Sequence, residues 1–512
     1  LTPFPRIRAS IVDDLLDDPE HLLVQHNKRD PQFFDVYRVN VKTGDAQLVA
    51  QNPGNITGWI TDHAGQVRMA STSDGVNTSL LYRASEKDAF KTILTTDFRT
   101  SVSPLFFTFD NKSLYALSNR GRDKTALVLL DPNNGTESQP LFEHPEVDLG
   151  GVSYSHKRKL LTQASFTTWK SQRHFFDAET KAIYTRLQEK LPGYEISLQS
   201  ENLAEDTFVV AAYNDRTQGA RYVYSVTTDT LTPLGEINPR LNPADMASMK
   251  PITYRTRDGL TINGYLTVPV NREARNLPVI VNPHGGPWVR DSWGYNPEIQ
   301  FLANRGFAVF QMNYRGSTGY GRAFWEKSFK QWGRSMQDDI TDGVAWLIKE
   351  GIADPKRVGI YGGSYGGYAT LAGVTFTPDL YAAAVDYVGV ANLFTFMQTI
   401  PPYWKPYLSM MYEMVGDPEK DKAALTASSP VFHADRIKTP LFIAQGANDP
   451  RVNKAESDQM VAALKKRGVE VQYLVKDNEG HGFHNEENQF EFYGAMEAFF
   501  KKYLLKGRDA KK

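Results

Sequence analysis

The first 248 residues alternate apolar and polar positions in short runs, a pattern typical of half-buried β-strands. The runs recur at a nearly constant interval, with steps of 45, 46, 47 and 47 residues between corresponding positions. These positions are Tyr37, Tyr82, Val128, Phe175 and Tyr222. A repeat of this length with several strands per unit predicts the blades of a β-propeller, since an irregular sandwich would not keep so constant a period. We predict an all-β region of about five blades, the first incomplete.

The pattern changes after Met249, where strands begin to alternate with helices. Short apolar runs such as Leu277–Val281 are typical of buried strands. The segment Met336–Glu350 places four apolar residues on one face of a helix, namely Ile340, Val344, Leu347 and Ile348. This alternation predicts a mostly parallel sheet with helices on both sides. The chain is therefore expected to contain a propeller over residues 1–248 and an α/β domain over residues 249–512.

The segment Val358–Tyr368 predicts a buried strand, a tight turn and a helix, with Ser364 at the tip of the turn. Gly362 and Gly366 complete a G-x-S-x-G frame, the nucleophile elbow of α/β-hydrolases. Glycines are needed there because a side chain would collide with the neighbouring strand or helix. The helix N-terminus also offers backbone N–H donors to an oxyanion. A glycine-rich turn without chemistry would look the same, so the surrounding motifs decide between the two interpretations.

A serine nucleophile needs a base, and the base needs an orienting acid. In hydrolases with this elbow, the acid follows the serine in the chain and the histidine comes last. Asp449 stands at the carboxyl end of a second buried strand. His481 follows a third strand, on a loop where it lies between two glycines. We therefore predict Ser364 as nucleophile, Asp449 as acid and His481 as base.

Four other residues compete for these roles. Asp386 lies near a strand end but one strand too early, and Asp458 falls within a helical stretch. His433 precedes the predicted acid and breaks the order. His484 follows it and remains a rival, although it lacks the flanking glycines.

An oxyanion hole is predicted after the strand Leu277–Val281, where the chain continues into a His-Gly-Gly sequence at residues 284–286. Such a sequence supplies a backbone N–H to the tetrahedral oxyanion in this class of hydrolase. Gly285 or Gly286 would give one donor, and the N–H of Tyr365 would give the other.

Six motifs share one order along residues 250–512: HGGP at 284–287, NYRGSTGYG at 313–321, DDITDGVAWL at 338–347, GGSYGGY at 362–368, DPRV at 449–452 and GHGF at 480–483. With these motifs the region resembles the catalytic domain of the prolyl oligopeptidase family of serine peptidases, closest to its acylaminoacyl-peptidase and dipeptidyl-aminopeptidase-like branch. The resemblance implies an α/β-hydrolase domain after a propeller that covers the active-site edge. It also implies seven or eight blades and a preceding segment, so an N-terminal part is expected to lie outside this sequence.

Two departures from the family pattern bear on specificity. Prolyl oligopeptidases and dipeptidyl peptidase IV carry a tyrosine before the glycine-rich turn, and its hydroxyl helps to bind the oxyanion. His284 stands at that position here, so the hole is expected to use two backbone donors. The dipeptidyl peptidase IV group also grips the substrate amine with a pair of glutamates in its propeller. Residues 1–248 contain no adjacent Glu pair, so release of dipeptides is not expected.

The resemblance also implies residues that bind substrate. Arg451 matches an arginine that binds a substrate carbonyl in prolyl oligopeptidases, a task suited to a permanently charged guanidinium. A solvated arginine at a helix start would look the same. The specificity pocket is expected to be lined by Tyr365, Val390, Leu393, Phe396 and Trp404, residue types that core packing would also select. Leu393 replaces a tryptophan that stacks on proline in dipeptidyl peptidase IV, so a strict proline preference is not expected.

Composition narrows the remaining choices. The 512 residues carry 58 basic and 59 acidic side chains, and this balance gives no reason to expect a nucleic acid or an anionic membrane as partner. The absence of cysteine excludes disulfides and Cys-ligated zinc. No apolar run has the length that a bilayer requires. We expect a soluble protein that needs no cofactor or metal and is located in the cytoplasm or the periplasm. The sequence does not decide whether it forms a homo-oligomer. The start Leu-Thr-Pro, without Met or signal peptide, indicates a mature form or a fragment.

Three functions remain in competition. The first is a serine peptidase that cleaves short peptides through an acyl-enzyme, as an oligopeptidase or an aminoacyl or acylaminoacyl peptidase. The second is an esterase that uses the same triad on a non-peptide acyl group. The third is a propeller binding protein with an inactive hydrolase domain. The propeller favours the peptidase over the esterase, and a complete Ser-Asp-His set argues against the inactive domain.

Overall fold

The computed structural model describes residues 4–505. The chain divides into two compact units, Leu1–Phe166 with Lys405–Met410 and Thr167–Trp404 with Met411–Lys512. The second unit therefore contains the last of the small sheets as well as the whole of the large sheet.

Eighteen strands between residues 9 and 236 form five small sheets. They are β1 Ala9–Asp13, β2 His21–Asp30, β3 Phe33–Asn40, β4 Ala46–Ala50, β5 Ile56–Thr61, β6 Val67–Ser73, β7 Asn77–Tyr82, β8 Lys91–Asp97, β9 Val102–Phe107, β10 Leu114–Ser118, β11 Ala126–Leu130, β12 Leu149–Ser155, β13 Leu160–Thr167, β14 Ser171–Phe175, β15 Glu195–Glu201, β16 Thr207–Asn214, β17 Thr217–Ser225 and β18 Thr230–Glu236. Strands consecutive in the chain are neighbours within each sheet, and the sheets follow one another along the chain.

The five positions that mark the sequence repeat all fall on the third strand of a sheet, namely on β3, β7, β11, β14 and β17. The first, second and fifth sheets have four strands, and the third and fourth have three. The expectation of an incomplete first blade is therefore wrong, because the first repeat contributes as many strands as the fullest of the others.

Polar turns separate the strands as the sequence indicates. In the turn after β11, a carboxylate oxygen of Asp131 accepts the N–H of Asn133 at 2.9 Å. The carbonyl of Asp131 accepts the N–H of Gly135 at 2.8 Å. Gly135 has a φ of +69°, a left-handed conformation that glycine adopts without steric cost. The local sequence thus ends the strand and reverses the chain.

Among the described residues of the β-region, one α-helix lies between β14 and β15, which the prediction from the sequence did not include. Helix α1, Ala178–Lys190, begins at Asp177, whose carboxylate accepts the N–H of Thr180 at 2.8 Å. Its buried residues Ile183 and Leu187 pack into an apolar cluster with the last small sheet. An interpretation based on strand periodicity missed this helix, because its apolar residues lie one helical turn apart rather than on alternate positions.

The large sheet contains eight strands in the order β19-β20-β22-β21-β23-β24-β25-β26. Their bounds are β19 Met249–Arg255, β20 Thr261–Thr267, β21 Leu277–Val281, β22 Ala308–Asn313, β23 Ala353–Gly363, β24 Ala383–Tyr387, β25 Leu441–Gly446 and β26 Val471–Lys476. The pairs β19–β20 and β20–β22 are antiparallel, and the remaining pairs are parallel. The prediction of a mostly parallel sheet is confirmed.

Nine helices follow within the described part of the second half of the chain. They are α2 Pro297–Asn304, α3 Arg322–Glu326, α4 Ser335–Lys349, α5 Tyr365–Phe376, α6 Leu393–Gln398, α7 Leu408–Met414, α8 Lys422–Ser428, α9 Lys454–Lys466 and α10 Glu486–Leu504, with short 3-10 helices at Pro243–Asp245, Pro402–Tyr407 and Pro430–Arg436. Helix α4 lies within one residue of the predicted helix at either end. Among residues 4–505, no helix has the length and apolarity needed to cross a membrane.

Two apolar clusters cover the two faces of the large sheet. On β21, Val279 belongs to the cluster that contains α4, α5 and α9, whereas Ile280 belongs to the cluster that contains α2 and α10. On β25, Ile443 and Phe442 divide in the same way. Alternate residues of a strand point to opposite faces, so a strand with a helical layer on each side must be apolar throughout. This requirement explains the continuous apolar runs in the sequence.

Candidate active site

Ser364 lies in the turn between β23 and α5, partly exposed at the carboxyl end of the strand. Its φ of 58° and ψ of −117° are unusual for a residue with a side chain. Such a conformation costs about 1–3 kcal/mol and persists only where the surroundings enforce it. Here the N–H of Ser364 donates to the carbonyl of Tyr387 at 2.9 Å, and its carbonyl accepts the N–H of Tyr368 at 3.0 Å. These bonds hold the serine in a strained turn at the sheet edge.

Two glycines allow the turn because backbones pass very close to them. A Cβ on Gly362 would lie 2.5 Å from the backbone of Gly366. A Cβ on Gly366 would lie 2.2 Å from the carbonyl oxygen of Pro283. Neither distance is compatible with a side chain, so the G-x-S-x-G frame has the steric reason that the sequence suggested. The second contact also brings the loop after β21 against the start of α5.

Asp449 and His481 are joined by a hydrogen bond, with 2.7 Å between Nδ1 of the histidine and Oδ2 of the carboxylate. The Asp449 side chain is fully buried, and its Oδ1 accepts the N–H groups of Arg451 and Val452 at 2.8 and 2.9 Å. These bonds fix the carboxylate in place. A histidine that donates from Nδ1 keeps its Nε2 lone pair free to accept a proton.

The second contact of the predicted triad, between Ser364 and His481, is not formed in the structure. Among the hydrogen bonds of residues 4–505, none joins the hydroxyl of Ser364 to His481. Catalytic hydrogen bonds are often long before the substrate is bound and shorten in the Michaelis complex. The structure therefore unites the acid and the base, and the contact between base and nucleophile stays a prediction.

The rival histidines have other surroundings. His484 is exposed, and its backbone N–H donates to the carboxylate of Glu479 at 2.9 Å. His433 contacts the carbonyl of Thr426 at 3.2 Å through Nε2. Neither side chain is hydrogen-bonded to Asp449.

The rival acids also differ from Asp449. Asp458 pairs with Lys454 at 2.8 Å on the first turns of α9. Asp386 is completely buried, and its Oδ1 occupies the space where a Cβ on Gly367 or on Gly389 would lie. Burial raises the pKa of Asp386 to about 8, so this carboxyl is mostly uncharged at neutral pH. A neutral acid is poorly suited to stabilise an imidazolium.

The predicted oxyanion donors lie beside the serine. A Cβ on Gly285 would be 3.6 Å from Cβ of Ser364 and 3.0 Å from the carbonyl oxygen of Gly363. Tyr365 is the first residue of α5, so its N–H has no partner within the helix. Gly286 follows Gly285 with a φ of +111°. The backbone of both segments thus lies close to the serine, and the role of these N–H groups as oxyanion donors stays a prediction.

His284 supports this loop instead of offering a free donor. Its Nδ1 lies 2.7 Å from the carbonyl of Gly285, and its Nε2 lies 2.9 Å from the hydroxyl of Ser317. Tyr314 stacks on the ring at 4.3 Å and donates its hydroxyl to the His284 carbonyl at 2.6 Å. Burial lowers the pKa of His284 to about 4, so the ring is neutral at physiological pH. Both ring nitrogens are thus engaged in holding the loop.

The residues expected to bind substrate occupy two environments. Arg451 is exposed, two residues after the buried acid. Four of the expected pocket residues lie in the main apolar core, namely Tyr365, Val390, Leu393 and Phe396. Trp404 is partly buried and packs against this core. The ring of Trp332 lies 4.5 Å from that of Tyr365. Four of the five residues thus belong to one apolar cluster, and their role in specificity stays a prediction.

Glu456 on α9 is a residue that sequence reasoning missed. It is buried, and one carboxylate oxygen accepts the N–H groups of Ala391 and Asn392 at 3.0 and 2.8 Å. Its other oxygen accepts the hydroxyl of Thr395. The carboxylate thus holds the chain between Val390 and Phe396. Sequence offered no signal for this role, because a glutamate in the first turn of an amphipathic helix is normally solvated.

Residues 4–505 contain no group of three or more His, Asp or Glu side chains that could hold a metal ion. The site consists of a strained serine turn, a buried acid paired with a histidine, and backbone donors beside the serine. On an α/β sheet that follows small antiparallel sheets, this arrangement defines a serine hydrolase of the propeller-bearing α/β type.

Comparison with known proteins identifies the family. The profile of the prolyl oligopeptidase family matches residues 293–507. Dipeptidyl aminopeptidase BIII of Pseudoxanthomonas mexicana is 37% identical over 98% of this chain and 74% of its own length. Dipeptidyl peptidase family member 6 of Caenorhabditis elegans is 30% identical over 98% of this chain and 72% of its own length. This chain belongs to the prolyl oligopeptidase family, and it is a serine peptidase.

The fold agrees with this assignment. A solved puromycin-hydrolyzing peptidase of Mycobacterium tuberculosis matches 98% of this chain and 80% of its own chain, with a TM-score of 0.78 at 22% sequence identity. The predicted fold class, a propeller followed by an α/β-hydrolase domain, is confirmed.

Proposed function

We propose that this serine peptidase hydrolyses short peptides through a triad of Ser364, His481 and Asp449 and an acyl-enzyme intermediate. The observation that carries the proposal is the 2.7 Å contact between Nδ1 of His481 and the buried carboxylate of Asp449. This pair follows the strained serine turn in the chain order of α/β-hydrolases.

In the proposed reaction, Nε2 of His481 takes the hydroxyl proton of Ser364 as the serine oxygen attacks the peptide carbonyl. The oxyanion that forms is stabilised by the N–H of Tyr365 and by that of Gly285 or Gly286. The imidazolium, held by Asp449, gives its proton to the leaving amine, and the C–N bond breaks. Water then adds to the acyl-enzyme with the same histidine as base, which releases the acid and restores the serine.

Two relatives of this chain are named for the unit they release. The P. mexicana relative is a dipeptidyl aminopeptidase. Another matching protein, from Arabidopsis thaliana, is an acylamino-acid-releasing enzyme that aligns over 44% of this chain. These names favour removal of a short N-terminal unit over an internal cut. Residues 1–248 lack the adjacent Glu pair with which dipeptidyl peptidase IV binds the free amine of its substrate. Release of dipeptides by this chain would therefore require other residues to bind that amine.

The experiment is a product analysis on a peptide library in which each sequence occurs with a free and with an acetylated N-terminus. We expect loss of a short N-terminal unit, and the choice between the two forms distinguishes aminopeptidase from acylaminoacyl-peptidase activity. Ser364→Ala should abolish turnover and labelling by a fluorophosphonate. The matched control is Ser335→Ala, which removes from α4 a hydroxyl that donates to Gln331 at 3.0 Å, and it should keep both. Turnover of small esters with no peptide cleaved would support the esterase instead.

A further inference from the structure

Tyr387 ends β24 and contacts both loops of the proposed triad. Its backbone carbonyl accepts the N–H of Ser364 at 2.9 Å. Its side-chain hydroxyl accepts the N–H of Phe483, two residues after His481. The two contacts come from opposite ends of one residue, and they join segments that are more than 90 positions apart in the sequence.

The Tyr387 ring is held by aromatic neighbours. It stacks on Phe492 of α10 with ring centroids 4.5 Å apart, and it meets the edge of Phe483 at 5.2 Å. Both neighbours are buried. A Cβ on Gly482 would lie 3.6 Å from the Tyr387 hydroxyl, so the phenol lies directly against the histidine loop. Aromatic packing therefore leaves the hydroxyl little freedom to move away.

The backbone directly after Tyr387 is hydrogen-bonded to β25, the strand that precedes Asp449. The N–H of Val388 donates to the carbonyl of Ala444 on β25 at 2.9 Å. Val388 has a φ of 50°, which is rare for a β-branched residue and requires support from its surroundings. The turn at the end of β24 is thus rigidly placed between the serine turn and the strand before Asp449.

The Tyr387 hydroxyl stays protonated at every pH near neutrality. Burial raises the pKa of Tyr387 to about 12. The phenol therefore stays protonated, and a neutral hydroxyl can accept the Phe483 N–H at any pH near neutrality. Without this acceptor, the N–H of a buried residue would be left unpaired, which is costly.

We propose that Tyr387 is a positioning residue that sets the distance between the hydroxyl of Ser364 and the imidazole of His481. The proposal rests on the proposed triad. The backbone carbonyl of Tyr387 fixes the serine turn and its hydroxyl fixes the histidine loop, so this single residue defines how far apart the two loops lie. Small displacements of catalytic groups lower the rate of the chemical step much more than they weaken substrate binding.

Tyr387→Phe tests the proposal because it keeps the ring contacts and removes only the acceptor. We expect kcat to fall about three- to tenfold with KM unchanged, a loss that corresponds to one misplaced neutral hydrogen bond. The rate of fluorophosphonate labelling should fall by the same factor, since it also depends on the base. Hydrogen exchange of the Phe483 amide should become faster in the variant, which reports the lost bond independently of activity.

The matched control is Tyr493→Phe. Tyr493 lies on α10, contacts Phe492 at 5.3 Å and donates its hydroxyl to Glu298 at 2.9 Å. Its replacement removes a comparable hydroxyl from the same aromatic cluster without touching the histidine loop. Both variants should lose some Tm, because each loses one hydrogen bond, but Tyr493→Phe should keep its kcat.

Two results would overturn the proposal: an unchanged kcat in Tyr387→Phe with faster exchange at Phe483, or equal losses of kcat in both variants. Failure of the triad itself gives a different result, because labelling would then survive Ser364→Ala.

Discussion

Arg451 presents an exposed guanidinium two residues after the buried acid, while its backbone N–H holds the Asp449 carboxylate at 2.8 Å. The backbone contact survives replacement of the side chain, so the role of the charge can be tested separately from the geometry of the acid. A charge-assisted hydrogen bond to a substrate carbonyl contributes about 1.5–3 kcal/mol.

For this reason Arg451→Ala should lower kcat/KM for peptides by about tenfold to a hundredfold. A small ester that does not extend to the arginine should be turned over at an unchanged rate. Steady-state kinetics on both substrates measure the difference, and Arg436→Ala, another exposed arginine, serves as control. Equal losses on peptide and ester would assign Arg451 a structural role instead.

Asp386 provides a test of buried charge at the residue scale. Its pKa is raised from 3.8 to about 8 by burial, so the folded protein binds a proton that the unfolded chain releases. The contribution of this group to stability is complete below pH 3.8 and is lost progressively as the pH rises toward 8.

The replacement Asp386→Asn keeps the shape of the side chain and removes its titration. The free energy of unfolding of the variant, relative to the original protein, should therefore increase steadily between pH 5 and pH 8, about 1.4 kcal/mol for each pH unit at most. Urea titrations at several pH values measure this slope. A stability difference that does not change with pH would show that Asp386 is not the titrating group.

At the scale of elements, the carboxylate of Glu456 connects α9 to the segment around α6 through hydrogen bonds. Glu456 accepts the N–H groups of Ala391 and Asn392 and the hydroxyl of Thr395. Because α6 and the residues before it carry three of the expected pocket residues, loss of the carboxylate should loosen the pocket as well as the fold.

We expect Glu456→Ala to lower the free energy of unfolding by about 2–4 kcal/mol, because buried donors are left without acceptors. KM for peptides should rise more than kcat falls. Glu456→Gln retains one acceptor oxygen and should be intermediate in both measurements. Glu487→Ala, at an exposed position in the first turn of α10, should stay within about 0.5 kcal/mol of the original protein. A Glu456→Ala variant with unchanged stability and KM would contradict this account.

At the scale of the whole molecule, the serine turn, the acid and the histidine all follow the carboxyl ends of parallel strands, the edge where open α/β sheets bind ligands. The resemblance described in the sequence analysis implies a propeller that restricts access to that edge, which is the hypothesis to be tested. We therefore expect kcat/KM to fall steeply as peptides lengthen, and folded proteins to resist cleavage.

Nested peptides that share one N-terminal sequence measure this dependence, with mass spectrometry of the products. One substrate protein, offered both folded and unfolded, controls for the sequence of the cleaved bond. Cleavage rates that do not depend on peptide length, together with digestion of the folded protein, would show that this chain does not select substrates by size.

The sequence by itself determined the features that depend on neighbouring residues. The repeat of 45 to 47 residues located the third strand of every small sheet, because strand alternation and polar turns are encoded locally. The helix at residues 336–350 was predictable for the same reason, since its apolar face follows the helical period. The glycines around Ser364 revealed the turn because backbone contacts there allow no side chain. The chain order of hydrolases with this elbow then supplied the order of acid and base.

Only the tertiary structure decided which distant residues meet. Asp386 lies within the buried strand β24 and Asp449 follows the buried strand β25, yet only Asp449 lies next to His481, and burial leaves Asp386 mostly neutral. The roles of Tyr387 and Glu456 were also absent from the sequence, because their partners lie 96 and 65 positions away. Periodicity and motifs record what a residue type can do locally. Packing between strands and helices fixes which of those residues are close enough to act together.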